Sequence, residues 1–409
     1  MKVLVNCYAC SPYQGSEPGM GWNFVSNLSR MHELHIMTEC KFKEDFDKYF
    51  EEHPEEKAFY HFYFIKRTRW NILRKIWPPS YYWTYAAWQR KALALAKELE
   101  TKEHFDLIHQ LNMVGYRECG YLWQMRKPMV WGPMGNFNIT PWRMLPVMGL
   151  YGVVFYTCRN IINLWQMHFS SRVRKAIEAS SAIICAMEDD SKAIKKLYGK
   201  DSIVIPEVGL TNTTGIKENP TIKAEGEPLI ICWSGLHIPR KALPLLLKAL
   251  AKINNMVKIE LHVLGTGPCF SQWKNEAEVL NLNNIIWHGQ KDRTEAMSIM
   301  KQSHVFAITS LSDATSTVLL EALSLGIPVI ALNHLGFAGV ITEKCGIKID
   351  IHKPSQVIND FAEAILKIAK DETFRQELAI GAIQRAQDFS WDKKAEQIDK
   401  IYYQVVTSK

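Results

Sequence analysis

Asp313 and Glu321 stand eight residues apart in SLSDATSTVLLEALSLGIPVIALN, residues 310–333, and that spacing is the most chemically suggestive feature of the chain. The stretch reads as a polar loop, a helix with apolar spacing, a stop at Gly326 and Pro328, and then a buried strand. In an open parallel sheet, the loop leaving a strand's carboxyl end is where ligands bind, and the start of the next helix favours anions. Asp313 falls in that loop and Glu321 two helical turns further on. A carboxylate accepts several hydrogen bonds, so the pair suits a neutral, hydroxyl-rich molecule. Ala314, Thr315, Ser316 and Thr317 line the loop between them and add three hydroxyls.

Other loops at expected strand ends carry further candidates. SGLHIPRK, residues 234–241, places Gly235 at the end of a strand and Arg240 and Lys241 just beyond it. QGSEPGMG, residues 14–21, follows the first strand and precedes a helix, so Gly15 and Ser16 present backbone amides to an anion. It lacks the order and spacing of the dinucleotide pattern G-x-G-x-x-G, and no P-loop ending is present. Gly265-Thr266-Gly267-Pro268 reads as a structural turn, and Gln290 and Lys291 follow a strand-ending glycine. His109, in DLIHQLN, ends a strand where a histidine can meet a hydroxyl or move a proton. Gln110 and Asn112 are its polar neighbours.

These loops need a scaffold of alternating strands and helices. Strands are expected at 3–7, 34–38, 106–109, 129–131, 181–185 and 203–206, with helices at 22–30, 88–100 and 189–198. A polar, Gly- and Pro-rich stretch, 212–228, reads as a linker. Strands then follow at 229–233, 259–265, 285–289, 304–309 and 329–332, with helices at 243–253, 270–280, 295–301 and 317–325. Such alternation marks doubly wound α/β sheets. At 409 residues the chain suits two domains, 1–211 and 229–390, which imply a cleft between them. The tail 391–409 reads as a helix with Ser390 as N-cap.

The segment bearing Asp313 and Glu321 resembles the carboxylate–seven residues–Glu signature of the family-4 retaining glycosyltransferases. The resemblance implies the GT-B fold: two Rossmann-like doubly wound domains facing across a cleft, with the last helix, 391–409, returning to the first. It implies that Glu321 holds a nucleotide ribose and that Asp313 lies beside the transferred sugar. Gly15, Ser16 and Gly235 would approach the donor diphosphate and Lys241 would clamp it. Gln290 and Lys291 would contact the base, and His109 the reacting sugar. The sequence departs from the family at Asp313, where Glu is usual, at Leu236, where an arginine stands, and at Ala-Thr-Ser-Thr, where Gly-aromatic-Gly is commoner. Arg240 or His237 would supply the charge absent at Leu236, Arg240 being always protonated.

The expected function is therefore transfer of a sugar, with retention, from a UDP- or GDP-sugar to a glycan or lipid-linked glycan, in cell-surface polysaccharide assembly. A sugar-nucleotide epimerase or phosphorylase on the same fold, or a non-catalytic assembly subunit, are the alternatives. No DxD-type acidic cluster stands out, so neither metal nor other cofactor is expected. Nine scattered cysteines read as buried thiols of a reducing compartment.

Charge is uneven. Residues 1–210 hold 27 Lys and Arg against 21 Asp and Glu, the remainder 22 against 21. Residues 119–177 contain seven basic residues and no acid; residues 66–91 contain seven basic residues, seven Trp or Tyr and no acid. Cations beside Trp and Tyr suit a lipid headgroup boundary. No nucleic-acid-binding motif accompanies them. The start lacks a secretory signal, and residues 144–158, uncharged, are too short to span a bilayer. The chain is expected to be cytoplasmic and peripheral to the anionic inner face of the membrane.

Overall fold

The computed structural model describes residues 1–67, 80–211 and 216–408. The chain divides into two compact units: Met1–Asn138, Trp165–Glu207 and Trp391–Lys409 form unit 1, and Ile139–Leu164 and Val208–Ser390 form unit 2.

Unit 1 is built on β1 (Lys2–Cys7), β2 (Glu33–Glu39), β3 (Tyr60–Ile65), β4 (Leu107–Asn112), β5 (Met129–Met134), β6 (Ala182–Cys185) and β7 (Ile203–Val204). They form a sheet in the order β3-β2-β1-β4-β5-β6-β7, and every pairing is parallel. A parallel sheet is covered on both faces, so its strands need apolar side chains at nearly every position. KVLVNC does this: five of its six residues are buried.

Unit 2 is built on β8 (Leu229–Ser234), β9 (Ile259–Leu264), β10 (Ile285–Gly289), β11 (Val305–Ile308), β12 (Val329–Leu332) and β13 (Gly346–Ile349). Their order is β10-β9-β8-β11-β12-β13, again all parallel. In both sheets the strand order reverses beside the first strand, at β1/β4 and β8/β11. Loops leaving the carboxyl ends diverge at such a point and leave room for a ligand.

The expected strands are all present. β3 and β13 are additional edge strands: β3 is aromatic and mostly half-exposed, and β13 has four residues, so neither shows a clear apolar run. The expected helices are present too, some longer than the pattern indicates, as with Tyr81–Glu103. Helices Lys43–Glu52, Pro354–Lys370 and Glu372–Ala386 are further additions. Ser390 directly precedes the terminal helix Trp391–Thr407, which belongs to unit 1. All nine cysteines are free, and six are buried.

The segment 139–164, expected in the first domain, lies in unit 2. Met144, Leu145, Met148 and Tyr156 share a core with Trp233, Leu246 and Phe361. A 3-10 turn, Trp142–Met148, ends at Gly149, whose φ of +71° favours glycine and starts the helix Gly149–Phe169. That helix crosses the boundary between the units, which falls after Leu164. Arg69, Arg74 and Lys75, within the basic aromatic stretch 66–91, lie outside the described residues, as does part of the linker.

His109 is placed otherwise than a strand-end ligand requires. It is fully buried; Nε2 donates to the Gly132 carbonyl at 2.7 Å and Nδ1 accepts from Tyr402 Oη at 2.5 Å. Both ring nitrogens are committed, so His109 ties the terminal helix to the sheet. Burial depresses its pKa from 6.5 to about 4, the Gly132 hydrogen bond opposing. Gln110 and Asn112 are equally structural: Gln110 Oε1 accepts from Asn6 at 2.8 Å, and Asn112 Nδ2 donates to the Ala9 carbonyl at 2.6 Å.

A neutral buried histidine gives a signed prediction. As pH falls from 6.5 toward 4, the unfolded chain binds the proton that the folded chain refuses, so stability falls, by roughly 3 kcal/mol at the lower limit. Urea denaturation across this range should show a shallower slope for His109→Gln than for the wild type. Parallel slopes would contradict the burial argument.

Candidate functional site

Strands β8 and β11 are neighbours, with Val305 opposite Ile231 and Phe306 opposite Cys232. Their outgoing loops must therefore run side by side. The loop after β8 ends in a short 3-10 turn, Pro239–Lys241, and its carbonyls lock onto the loop after β11: Leu311 N donates to Arg240 O at 2.8 Å, and Thr309 Oγ1 to Lys241 O at 2.6 Å. Trp233 Nε1 donates to the same Thr309 hydroxyl at 3.0 Å.

This bracing brings the predicted cations onto the predicted acid. Arg240 Nη1 lies 2.9 Å from Asp313 Oδ1 and also donates to the Ser312 carbonyl, while Lys241 Nζ bonds to Asp313 Oδ2. Ser310 Oγ donates to the same carboxylate at 3.3 Å. Burial opposes ionisation of Asp313, but the charges of Lys241 and Arg240 and their hydrogen bonds outweigh it, holding the carboxyl below its ordinary value. Arg159, from the helix Gly149–Phe169, donates to Ser312 Oγ at 3.0 Å and steadies the loop from a third side.

Glu321 is buried on the helix Thr317–Ser324 and accepts from Arg293 Nε at 3.0 Å. Its carboxylate retains acceptor capacity beyond that bond. Ser316 precedes the helix in extended conformation without a side-chain cap, and its carbonyl accepts from Leu319 N at 3.0 Å. Ala314 is half-buried and Thr317 exposed, whereas Thr315 is buried against Gly336, where an added Cβ would lie 2.2 Å from Thr315 Oγ1. Thr315 therefore shapes the loop from behind.

Burial separates Arg240 from His237. His237 has no exposed surface and packs among Trp233, Phe270 and Trp273, with burial lowering its pKa. It is an uncharged core residue, and Leu236 is exposed beside it. Gly235 lies under Lys241, its added Cβ being 3.5 Å from the lysine stem. Gly265, at φ +108°, is a packing glycine, because a Cβ there would come within 2.1 Å of the Gly235 carbonyl. Gln290 is exposed, and Lys291 is drawn to Glu295 at 3.6 Å.

In unit 1 the glycines after β1 divide by role. Gly19 and Gly21 abut backbone, at 2.5 Å from Gln14 O and 2.3 Å from Ala9 O for an added Cβ, whereas Gly15 faces open space. Ser16 begins the helix at φ +57°. Glu17, inside this loop, accepts from Val114 N at 3.2 Å and is pushed by burial to about 7. Burial, with Arg117 opposing and Glu17 adding, raises Glu118 to about 8. Two carboxyls near neutrality at the carboxyl edge of β1 and β4 can donate as well as accept hydrogen bonds. Neither was singled out from sequence, nor was Arg293. Glu17 sat within a noted Gly-rich loop, and Arg293 follows Lys291 by two positions, but only burial and pairing distinguish them.

Among the described residues, two groups could hold a metal ion: Glu33, His35 and His61, and His53, Glu55 and Glu56. Neither includes a unit 2 residue, and Lys2 Nζ already lies 3.3 Å from Glu33.

Residues 216–385 match the family model described as Glycosyl transferases group 1. Two curated relatives are named D-inositol 3-phosphate glycosyltransferase. That of Kribbella flavida is 24% identical over 54% of this chain and 56% of its own length. That of Rhodococcus erythropolis is 26% identical over 56% and 55%. The chain thus spans about half the length of these relatives, and a fifth of another, from Nocardioides. Among solved structures, sucrose-phosphate synthase from Thermosynechococcus elongatus superposes over all of both chains with a TM-score of 0.66 at 16% identity. A lipopolysaccharide outer core galactosyltransferase gives 0.68 at 14%, covering 100% and 99%. Anabaena HepE in complex with UDP gives 0.63 at 15%, covering 98% and 99%. The fold is GT-B, with two parallel-sheet Rossmann-like units.

Asp313→Asn removes the charge that both cations face and should cost about 1–3 kcal/mol at neutral pH. The folded carboxyl is held below its unfolded value, so this contribution is present above the ordinary aspartate range and disappears as pH falls through the folded value. Denaturant titrations of wild type and variant should converge in acid; a constant difference would show that the ion pair is not its source.

Proposed function

We propose that this chain is a glycosyltransferase that moves a sugar, with retention, from a nucleoside-diphosphate donor to a hydroxyl of a glycan or lipid-linked glycan. One observation carries the reading: two cations gathered on Asp313 at the carboxyl edge of the unit 2 switch point, on the loop that leads to Glu321. The group 1 match lies wholly within unit 2 and supports it.

On this reading the donor diphosphate takes over Lys241 and Arg240 from Asp313. Negative charge on the leaving diphosphate grows as the glycosidic bond breaks, so these contacts strengthen toward the transition state. The start of the helix after Ser316 adds partial positive charge. Glu321 accepts hydrogen bonds from the ribose, and Arg293 orients its carboxylate. Asp313, released, accepts from the sugar hydroxyls. The acceptor hydroxyl attacks the face the diphosphate leaves, and the leaving phosphate oxygen takes its proton, so neither acid is a nucleophile. Unit 1 is assigned the acceptor side and the backbone amides of Gly15 and Ser16 the donor diphosphate, roles His109 is too buried to share. The reaction is read as independent of metal. UDP is the first nucleotide to test, since HepE was solved with it.

Lys241→Ala and Glu321→Ala should each lower kcat/KM with the true donor by on the order of 100-fold while melting as the wild type does. Full turnover by both variants would dismiss the reading. Chelator should leave turnover unchanged; its loss on chelation, restored by Mg2+, would overturn metal independence. Donor conversion without any acceptor would indicate an epimerase instead.

A further inference from the structure

The helix Gly149–Phe169 is amphipathic with its faces exchanged. Gly152, Tyr156, Asn160, Asn163 and Met167 recur at the spacing of one helical face, and all five are buried. Two of them are asparagines, and Asn160 exchanges a matched pair of bonds with the Thr140 backbone, at 3.0 and 2.8 Å. The opposite face bears Leu150, Tyr151, Phe155, Ile162, Trp165 and Phe169, all exposed, Leu150 at 83% and Phe169 at 70%. A folded chain rarely leaves an apolar stripe five turns long in water without a partner for it.

The stretch Trp142–Phe169 is long and apolar enough to cross a membrane by length and composition. Its inner face is committed to protein: Tyr156 enters the unit 2 core, and Gly152 sits where a Cβ would lie 3.5 Å from Pro239. Such a helix can lie in a bilayer surface but cannot traverse one without abandoning that core.

We propose that this stripe docks the protein on an anionic lipid bilayer, with the helix lying in the headgroup boundary. Charge selects lipid over a second copy of the chain. No acid occurs between residues 119 and 177, and exposed Arg143, Arg174 and Lys175 bracket the stripe in sequence. Two copies paired along it would oppose basic ends without a counter-charge, whereas anionic headgroups supply one. Trp165 and Tyr151 suit the boundary between acyl chains and water. The docked helix is also adjacent to the candidate site, because Arg159 on it holds Ser312, next to Asp313.

Flotation of the full chain with vesicles of phosphatidylcholine plus phosphatidylglycerol tests this directly. The wild type should float with the mixed vesicles, less with phosphatidylcholine alone, and less at high salt. The variant Tyr151→Ser, Phe155→Ser, Ile162→Ser, Trp165→Ser should bind at least tenfold more weakly with unchanged circular dichroism. As a readout independent of that variant's folding, brominated phosphatidylcholine in the mixed vesicles should quench wild-type tryptophan fluorescence, and less so in Trp165→Leu. Lys241→Ala should float normally, which separates docking from transfer. The proposal is overturned if the wild type fails to float, if the quadruple variant floats equally well, or if the wild type is a dimer that the variant converts to a monomer without vesicle binding.

Discussion

Parallel pairing of β8 with β11 is the constraint on which the unit 2 site depends. Two strands from distant parts of the chain, paired in the same direction, release their loops at the same edge. The loops then have little choice but to touch. Arg240 and Lys241 meet Asp313 there because backbone bonds from Leu311 and Thr309 have already set the distance. The ion cluster is a consequence of sheet order, and its partial burial keeps all three charges poised for an anionic ligand that could replace the carboxylate.

Unit 1 solves a different problem at the corresponding edge. Its strands β1 and β4 carry polar side chains inward, and each must find a partner because unpaired buried polar atoms are costly. Asn6 Nδ2 donates to both Gln89 and Gln110, and His109 takes Gly132 and Tyr402. Glu17 and Glu118 are left with less support and are pushed toward neutrality.

The helix Gly149–Phe169 connects these themes with the surroundings of the molecule. Its polar inner face would be unusual in an ordinary surface helix, yet it supplies Arg159 to the Asp313 loop and packs Gly152 beside Pro239. One helix thus carries an apolar outer face and an inner face that steadies the Asp313 loop.

Sequence by itself determined the alternating α/β architecture, because buried parallel strands are largely apolar and helices repeat every three to four residues. It also placed Asp313, Arg240 and Lys241 in strand-end loops and Glu321 on the helix that follows, since such loops are readable from glycine and polar residues. Edge strands such as β3 and β13 were not legible, lacking a fully buried face. Tertiary structure alone decided which polar residues are scaffolding: His109, Gln110, Asn112 and His237 look chemical in one dimension and prove to be committed to the core. It also decided that residues 139–164 pack in unit 2 and turn an apolar stripe outward. The physical reason is the same in each case: local pattern encodes period and turn, whereas burial and partner choice arise only when distant segments pack.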